Sequence, residues 1–371
     1  MKYYIIAGEA SGDLHGSNLM KALKKVDSNA NFKFWGGDLM QQVDNGLVKH
    51  YKDLAFMGFL EVLLNIRTIF KNLLFCKKDI EKYNPDVIIF IDYPGFNLRI
   101  AKWAKERKYK THYYISPQIW AWKESRIKAI KHDIDRMYVI LPFEKYFYKK
   151  KHNYPVEFVG HPLIDAIADR HQIDESEFRI ENQLSEKPII AILPGSRKQE
   201  IKKMLSVMLS VVKEYDNYQF VIAGAPSQDR EFYNQFIKNK NVNFVSNKTY
   251  DLLSVSTAAL VTSGTATLET ALFKVPQVVC YKGSWLSYQI GKRLVNLDFI
   301  SLVNLIMGKE VVTELIQNNF NTKRLKQEVD IILDNYERTK FFINYYELEK
   351  NLGGKGASDK VAILIYDSIN N

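Results

Sequence analysis

The chain has 371 residues, more than one ordinary hydrophobic core accommodates and enough for two domains of ~150–200 residues. Hydrophobic residues make up 46% and charged residues 25%, a globular composition that excludes a disordered chain. The net charge of +10 and pI of about 9.2 favour anionic partners: nucleic acid, phosphorylated substrates or an acidic membrane surface. The two cysteines, Cys76 and Cys280, sit in apolar surroundings without metal-ligand spacing and read as buried thiols. The apolar run after Met1 is too short for a signal peptide, and no stretch of 18 uncharged apolar residues occurs, so a cytoplasmic protein is expected.

Taken in chain order, Tyr3–Ala7, Val87–Ile91, His112–Ile115, Met137–Leu141 and Glu157–Val159 read as strands of the first half. Pro188–Leu193, Gln219–Ala223, Asn243–Val245, Ala258–Thr262 and Gln277–Tyr281 read as strands of the second. Several are almost continuously apolar, as strands covered by helices on both faces must be. Amphipathic segments lie between them, for example Ser17–Val26 with Leu19, Met20 and Leu23 at helical spacing. Such alternation predicts an α/β protein of two doubly wound, Rossmann-like domains facing a central cleft. The expected boundaries are 1–168 for the first domain, 169–187 for a polar joining region, 188–345 for the second domain and 346–371 for a helical tail, which packs back on the first domain in one arrangement.

Ligands of such sheets bind beyond the carboxyl ends of the strands, and the informative residues follow strands. Gly8–Gly16, reading GEASGDLHG, comes directly after the first. Its glycines permit a tight turn and close ligand approach, although a plain turn with Ser11 or Asp13 as helix cap fits equally. The spacing is not that of a dinucleotide fingerprint. Asp92, after Val87–Ile91, is a candidate general base, or else a turn residue. Pro194-Gly195-Ser196-Arg197 and Ser263-Gly264-Thr265 each follow a strand and open a helix, where backbone N–H groups and a guanidinium suit a diphosphate. Glu269 suits ribose hydroxyls, or a capping box. Asp133 and Asp135 spell a D-x-D but precede their strand, the wrong end for a ligand. The seven histidines form no metal pattern, and neither a metal nor a cofactor is expected.

Together the segments GEASGDLHG (8–16), MGFLEVL (57–63), PDVIIFIDYPGFN (85–97), YYISPQIWAWKESRIKAI (113–130), LPFEKYFY (141–148), FVGHPLIDA (158–166), LPGSRKQEI (193–201), SGTATLETAL (263–272) and SLVNLI (301–306) resemble the lipid-A-disaccharide synthase family. The resemblance runs from residue 3 to about residue 320. It implies a metal-independent, inverting transferase with the GT-B arrangement of two Rossmann-like domains. Its donor would be UDP-2,3-diacylglucosamine, its acceptor 2,3-diacylglucosamine 1-phosphate, and its products the β-1,6-linked disaccharide 1-phosphate and UDP. It further implies a catalytic pair, Asp92 and Arg197. The implied nucleotide-sugar set is Gly195, Ser196, Arg197, Ser263, Gly264, Thr265, Glu269 and Asn304, and the acceptor set is Glu9, Ser11, Gly12 and Asn97. Some relatives carry a second acid where this chain has Gly95, so no base is available there, and Val303 stands where the family pattern has Pro.

From Phe56 to Phe75 a broad helical face is apolar, including Leu60, Val62, Leu63, Ile66, Ile69 and Phe70, with Arg67, Lys71, Lys77 and Lys78 on its border. Alone, this reads as a core helix. With acylated substrates implied, it reads as a contact with the anionic cytoplasmic face of the inner membrane. Two other readings compete. One is a different UDP-sugar enzyme, such as a UDP-N-acetylglucosamine epimerase or a peptidoglycan-type transferase; the apolar segment and Trp120-Ala121-Trp122 speak against it. The other is a nucleic-acid-binding module, for which the Lys149–Lys151 run is too short, and no nucleic-acid partner is expected.

Overall fold

The computed structural model describes residues 1–54, 66–225, 228–238, 241–283 and 298–370. These form two compact units, Met1–Ala168 with Leu352–Asn371, and Asp169–Asn351. In the first unit the strands β1 (Lys2–Ala7), β2 (Asn31–Gly36), β3 (Leu47–His50), β4 (Val87–Ile91), β5 (Thr111–Tyr114), β6 (Arg136–Val139) and β7 (Glu157–Phe158) form one sheet in the order β3-β2-β1-β4-β5-β6-β7. In the second, β8 (Ile189–Leu193), β9 (Gln219–Gly224), β10 (Val242–Ser246), β11 (Ser256–Thr262), β12 (Gln277–Tyr281) and β13 (Glu314–Ile316) run in the order β10-β9-β8-β11-β12-β13. Every pairing is parallel. Both sheets thus have the doubly wound order, whose direction reverses once: between β1 and β4 in the first unit, and between β8 and β11 in the second.

The central strands show why. All five residues of β4 are buried, and side chains alternate between two cores. Tyr4, Ile6, Ile88 and Phe90 pack under the helices Ile66–Tyr83 and Pro94–Glu106 through Leu73, Cys76, Ile80 and Ile100. Tyr3, Ile5, Ile89 and Ile91 pack under the helices Ala10–Val26 and Ala357–Asn370 through Leu19, Leu23, Val361 and Ile365. Cys76 and Cys280 are free, buried thiols.

The structure departs from the sequence reading in several places. Strands β3 and β13 are too short to stand out by pattern, and β2 is a further strand beyond those expected, its Phe32, Phe34 and Trp35 buried. The first helix begins at Ala10, so Gly12 and Gly16 lie inside it. A Cβ at Gly12 would stand 3.1 Å from Cβ of Ala7, and one at Gly16 would meet the Met40 sulfur at 2.7 Å. These glycines allow close packing of helix against strand and neighbouring helix. Residues 169–187 are not a bare linker: they include the helix Glu175–Glu181, capped by Asp174, and belong to the second unit. Arg179, 7% exposed, donates to the carbonyls of Ser185 and Lys187 there. The helix Asn335–Asn351 also stays with the second unit, and the chain rejoins the first only at Leu352 rather than at residue 346.

Asp13 caps no part of its own helix. Its carboxylate, 3% exposed, accepts from the backbone N–H groups of Gly37, Leu39 and Met40 at 2.7, 3.0 and 3.0 Å. It thereby caps the helix Asp38–Val43 and ties the turn after β2 to the first turn of the helix Ala10–Val26. Replacing Asp13 with Ala strands these donors, and stability should fall by roughly 2–4 kcal/mol. Asp13→Asn, which keeps one acceptor oxygen, should lose less. Urea unfolding of the two variants measures the difference.

Candidate active site

In the first unit the two loops flanking the reversal are Gly8-Glu9 after β1 and Asp92-Tyr93 after β4. Asp92 and Tyr93 both have left-handed backbones, with φ of 44° and 49°. Non-glycine residues rarely hold this conformation unless their surroundings fix it. Here the fixing groups are visible. The Asp92 carbonyl accepts from Asn97 Nδ2 at 2.7 Å and from the Tyr113 hydroxyl at 2.5 Å, while its N–H donates to the Tyr114 carbonyl at 3.2 Å. The Tyr93 ring lies over Gly8, where a Cβ would come within 2.3 Å of it. With its backbone so held, the Asp92 carboxyl is half-buried, and its pKa is pushed up to about 6 by burial and then by the neighbouring Glu9 carboxylate. A carboxyl in that range accepts a proton at neutral pH far better than an ordinary Asp.

The other acceptor-side candidates divide. Glu9 and Ser11 are exposed beside this loop, whereas Gly12 is buried against Ala7. Asn97 is fully buried. Its Nδ2 reaches the carbonyls of Ile6 and Ile91, both at 3.3 Å, besides that of Asp92. It joins the ends of β1 and β4 and positions Asp92, while its buried Oδ1 has no partner among the described residues.

In the second unit the corresponding loops follow β8 and β11. Gly195 has φ of 95°, and Glu200 Oε2 stands 3.1 Å from where its Cβ would be. The turn therefore requires glycine. Arg197 follows as the N-cap residue of the helix Lys198–Met208, which is anchored by the buried Ile201, Met204, Leu205 and Met208. Its guanidinium is 73% exposed and pairs with Glu200 at 3.2 Å. The Ser196 carbonyl accepts from Gln228 at 3.1 Å. After β11, Ser263 donates to the Ile300 carbonyl at 2.9 Å, and Gly264 has φ of 144° with none of the described residues within 4 Å of its Cβ position. That open space lies at the start of the helix Thr265–Leu272, where the exposed Thr265 and the first N–H groups stand. Glu269 forms no capping box, because the cap position is Gly264. It accepts instead from the Tyr250 hydroxyl at 2.7 Å, while burial raises its pKa and the Tyr250 bond offsets part of that rise.

Asn304 is fully buried, and its amide is completely used. It donates to the Val312 carbonyl and Glu314 Oε1 at 2.8 and 2.9 Å, and accepts from the N–H groups of Val311 and Val312 at 2.7 and 3.0 Å. No hydrogen-bonding capacity is left for a nucleotide. Asn304 fastens the helix Leu302–Met307 to the turn entering β13, in place of the nucleotide contact expected from sequence. Asp133 and Asp135 are likewise committed: Asp133 to His132 at 2.6 Å, Asp135 to Lys105 and to Thr111 N–H at 2.9 Å. Tyr93, Tyr113, Tyr250 and Glu144 escape sequence inspection, because their roles depend on partners remote in the chain. Only Glu144 leaves a local sign, as the acid three residues into the helix start Leu141-Pro142-Phe143-Glu144.

The family model described as Lipid-A-disaccharide synthetase matches residues 3–362. A lipid-A-disaccharide synthase of Syntrophus aciditrophicus is 39% identical over 368 residues, covering 97% of this chain and 96% of the relative. One of Geobacter metallireducens is 37% identical over 372 residues, covering 98% and 96%. The chain belongs to the lipid-A-disaccharide synthase family. It is therefore a glycosyltransferase of lipid A biosynthesis, with the two-sheet architecture of GT-B enzymes. Among solved structures, the UDP-GlcNAc 2-epimerase of Neisseria meningitidis bound to UDP-GlcNAc has a TM-score of 0.66 at 14% identity, over 100% of both chains. At that identity the likeness concerns the fold alone, so the epimerase alternative rests on architecture and the transferase assignment on sequence.

If Asp92 is the base, its ionised form is the active one. The acid limb of kcat/KM for a synthase assay should therefore fall as pH drops through about 6. Asp92→Asn should keep the melting temperature, lose about 10²–10⁴-fold in rate and show no such limb. A pH–rate profile of both proteins is the check.

Proposed function

We propose that the enzyme transfers 2,3-diacylglucosamine from UDP to the 6-hydroxyl of 2,3-diacylglucosamine 1-phosphate with inversion, giving the β-1,6-linked disaccharide 1-phosphate and UDP. The observation that carries this reading is the half-buried Asp92 carboxylate, held at the strand reversal with its pKa raised to about 6. Asp92 takes the proton of the acceptor 6-hydroxyl as its oxygen bonds to the donor anomeric carbon. The bond from that carbon to the UDP β-phosphate oxygen breaks on the opposite face, and its electron pair leaves with UDP. The growing charge on the diphosphate is met by Arg197 and by N–H groups at the starts of the helices Lys198–Met208 and Thr265–Leu272. Glu269, oriented by Tyr250, accepts from the ribose hydroxyls, while Asn97 and Asn304 act as positioning residues.

The first test is incubation with the two diacylated substrates, with UDP release as the readout; absence of UDP refutes the reading. Arg197→Ala should weaken UDP binding and slow transfer by roughly 10²-fold, the scale of losing one charge-stabilising group. EDTA should leave the wild-type rate unchanged. Its inhibition, with rescue by magnesium, would assign the diphosphate to a metal.

We also propose that the enzyme works at the anionic cytoplasmic face of the inner membrane, through the helix Ile66–Tyr83. Leu60, Val62 and Leu63, and the side chain of Ile66, lie outside the described residues. Beyond them the helix has two apolar faces. Ile69, Leu73, Cys76 and Ile80 pack into the core, while Phe70 and Leu74 are each 60% exposed, with Arg67, Lys71 and Lys78 around them. Solvent-facing aromatic and aliphatic groups ringed by cations suit a bilayer interface. Among the described residues no helix is long and apolar enough to cross a membrane. Replacing Phe70 and Leu74 with Ser should reduce co-sedimentation with anionic vesicles and leave the melting temperature unchanged. Leu73→Ser, by contrast, should destabilise the fold by about 2–5 kcal/mol.

A further inference from the structure

The segment between β5 and the helix Ile127–Asp133 takes no part in the steps above, yet it is held with unusual care. Register places Tyr114 of β5 opposite Ile91 of β4, so the segment leaves the sheet beside the Asp92 loop, at the same carboxyl edge. It opens on Ile115, whose φ is 62°. Among the described residues this is the one β-branched side chain in the left-handed region, a conformation such residues avoid unless the surroundings impose it. The surroundings here centre on Glu144, which is 1% exposed. Its carboxyl accepts from Ser116 Oγ at 2.5 Å and the Trp120 indole at 3.2 Å on one oxygen, and from the Ile140 and Leu141 N–H groups at 3.2 and 2.9 Å on the other. Trp120 also packs edge-on against Phe143, with ring centres 4.8 Å apart.

This anchoring does not continue to the end of the segment. Trp122 is left 47% exposed, and the Lys123 ammonium stands 4.4 Å from the centre of its ring. Lys123 is itself left-handed, with φ of 56°. A rigidly based segment that ends in a half-exposed indole, with a cation over one of its faces, brings an apolar plate and a positive charge together. A pyranose has apolar C–H faces that fit the plate, and a phosphate on the ring fits the ammonium. The segment that carries the plate begins at the first-unit strand edge that also bears Asp92, so the sugar assigned to it is the acceptor.

We propose that Trp122 and Lys123, on the segment pinned by Glu144, form the subsite for the acceptor's glucosamine ring and its anomeric phosphate. The proposal rests on the transfer reaction given under Proposed function, and adds to it the group that selects a phosphorylated acceptor. Lys123 supplies the charge, Trp122 the platform, and Glu144 is a positioning residue.

The experiment compares two acceptors, 2,3-diacylglucosamine 1-phosphate and the same sugar with a free anomeric hydroxyl, in wild type, Lys123→Ala and Trp122→Ala. Wild type should prefer the phosphorylated acceptor. Lys123→Ala should shrink that preference in kcat/KM by roughly tenfold, the scale of one lost charge-assisted hydrogen bond. Trp122→Ala should raise KM for both acceptors by a similar factor. Neither change should alter the inhibition constant of UDP, and both side chains are exposed enough for melting temperatures to stay near wild type. An unchanged preference in Lys123→Ala, or an equal loss on both acceptors, overturns the subsite. Failure of wild type to release UDP with either acceptor instead overturns the reaction on which it rests.

Discussion

A parallel sheet whose strand order reverses once leaves two loops diverging at one edge, since the connections on either side of the reversal leave for opposite faces. Here that happens twice, between β1 and β4 and between β8 and β11. The crevice is a consequence of right-handed β–α–β connections and needs no special residues. The special residues stand at each reversal separately: Asp92 and the Gly8-Glu9 turn in the first unit, and the Gly195 and Gly264 turns in the second. Each glycine has its own reason. Gly8 makes room for Tyr93, Gly195 for the Glu200 side chain, and Gly264 leaves an open approach to the first N–H groups of a helix.

Holding such loops rigid falls to buried polar side chains whose hydrogen bonds are almost all made inside the protein. Asp13 fixes the turn after β2, Asn97 the ends of β1 and β4, Glu144 the segment after β5, and Asn304 the entry to β13. A buried amide or carboxyl without partners is costly, and one with all its partners permits few alternative arrangements. Burial also tunes chemistry. The same desolvation that lifts Asp92 to about 6 brings the enclosed Glu144 to about 7, but only Asp92 stands at the end of β4 beside the exposed Glu9.

The helix Ile66–Tyr83 shows how one element can serve two solvents. Its residues at spacings of four, three and four, from Ile69 to Ile80, face the sheet, and a second pair a third of a turn away faces outward. Apolar breadth in the sequence therefore reported both a core and a surface, and composition alone had no means of separating them.

Much was determined by the sequence alone. Continuous apolar runs such as Val87–Ile91 can be satisfied only in a strand covered on both faces, so the α/β class and most central strands were legible. Glycine- and hydroxyl-rich turns after those strands marked the loops of both reversals, and Asp92 with them. The tertiary structure decided which of the marked residues have free hydrogen-bonding capacity. Asn304 looks in sequence like a ligand contact, but its amide is consumed by a carbonyl, a carboxylate and N–H groups brought near by folding, whereas Asn97 spends its Nδ2 on carbonyls and keeps its buried Oδ1 without a partner among the described residues. Tyr113 and Tyr250 look like nothing in particular until Asp92 and Glu269 stand within 2.7 Å of them. A local pattern records what a residue can bond; only three-dimensional packing settles whether that bond is already taken.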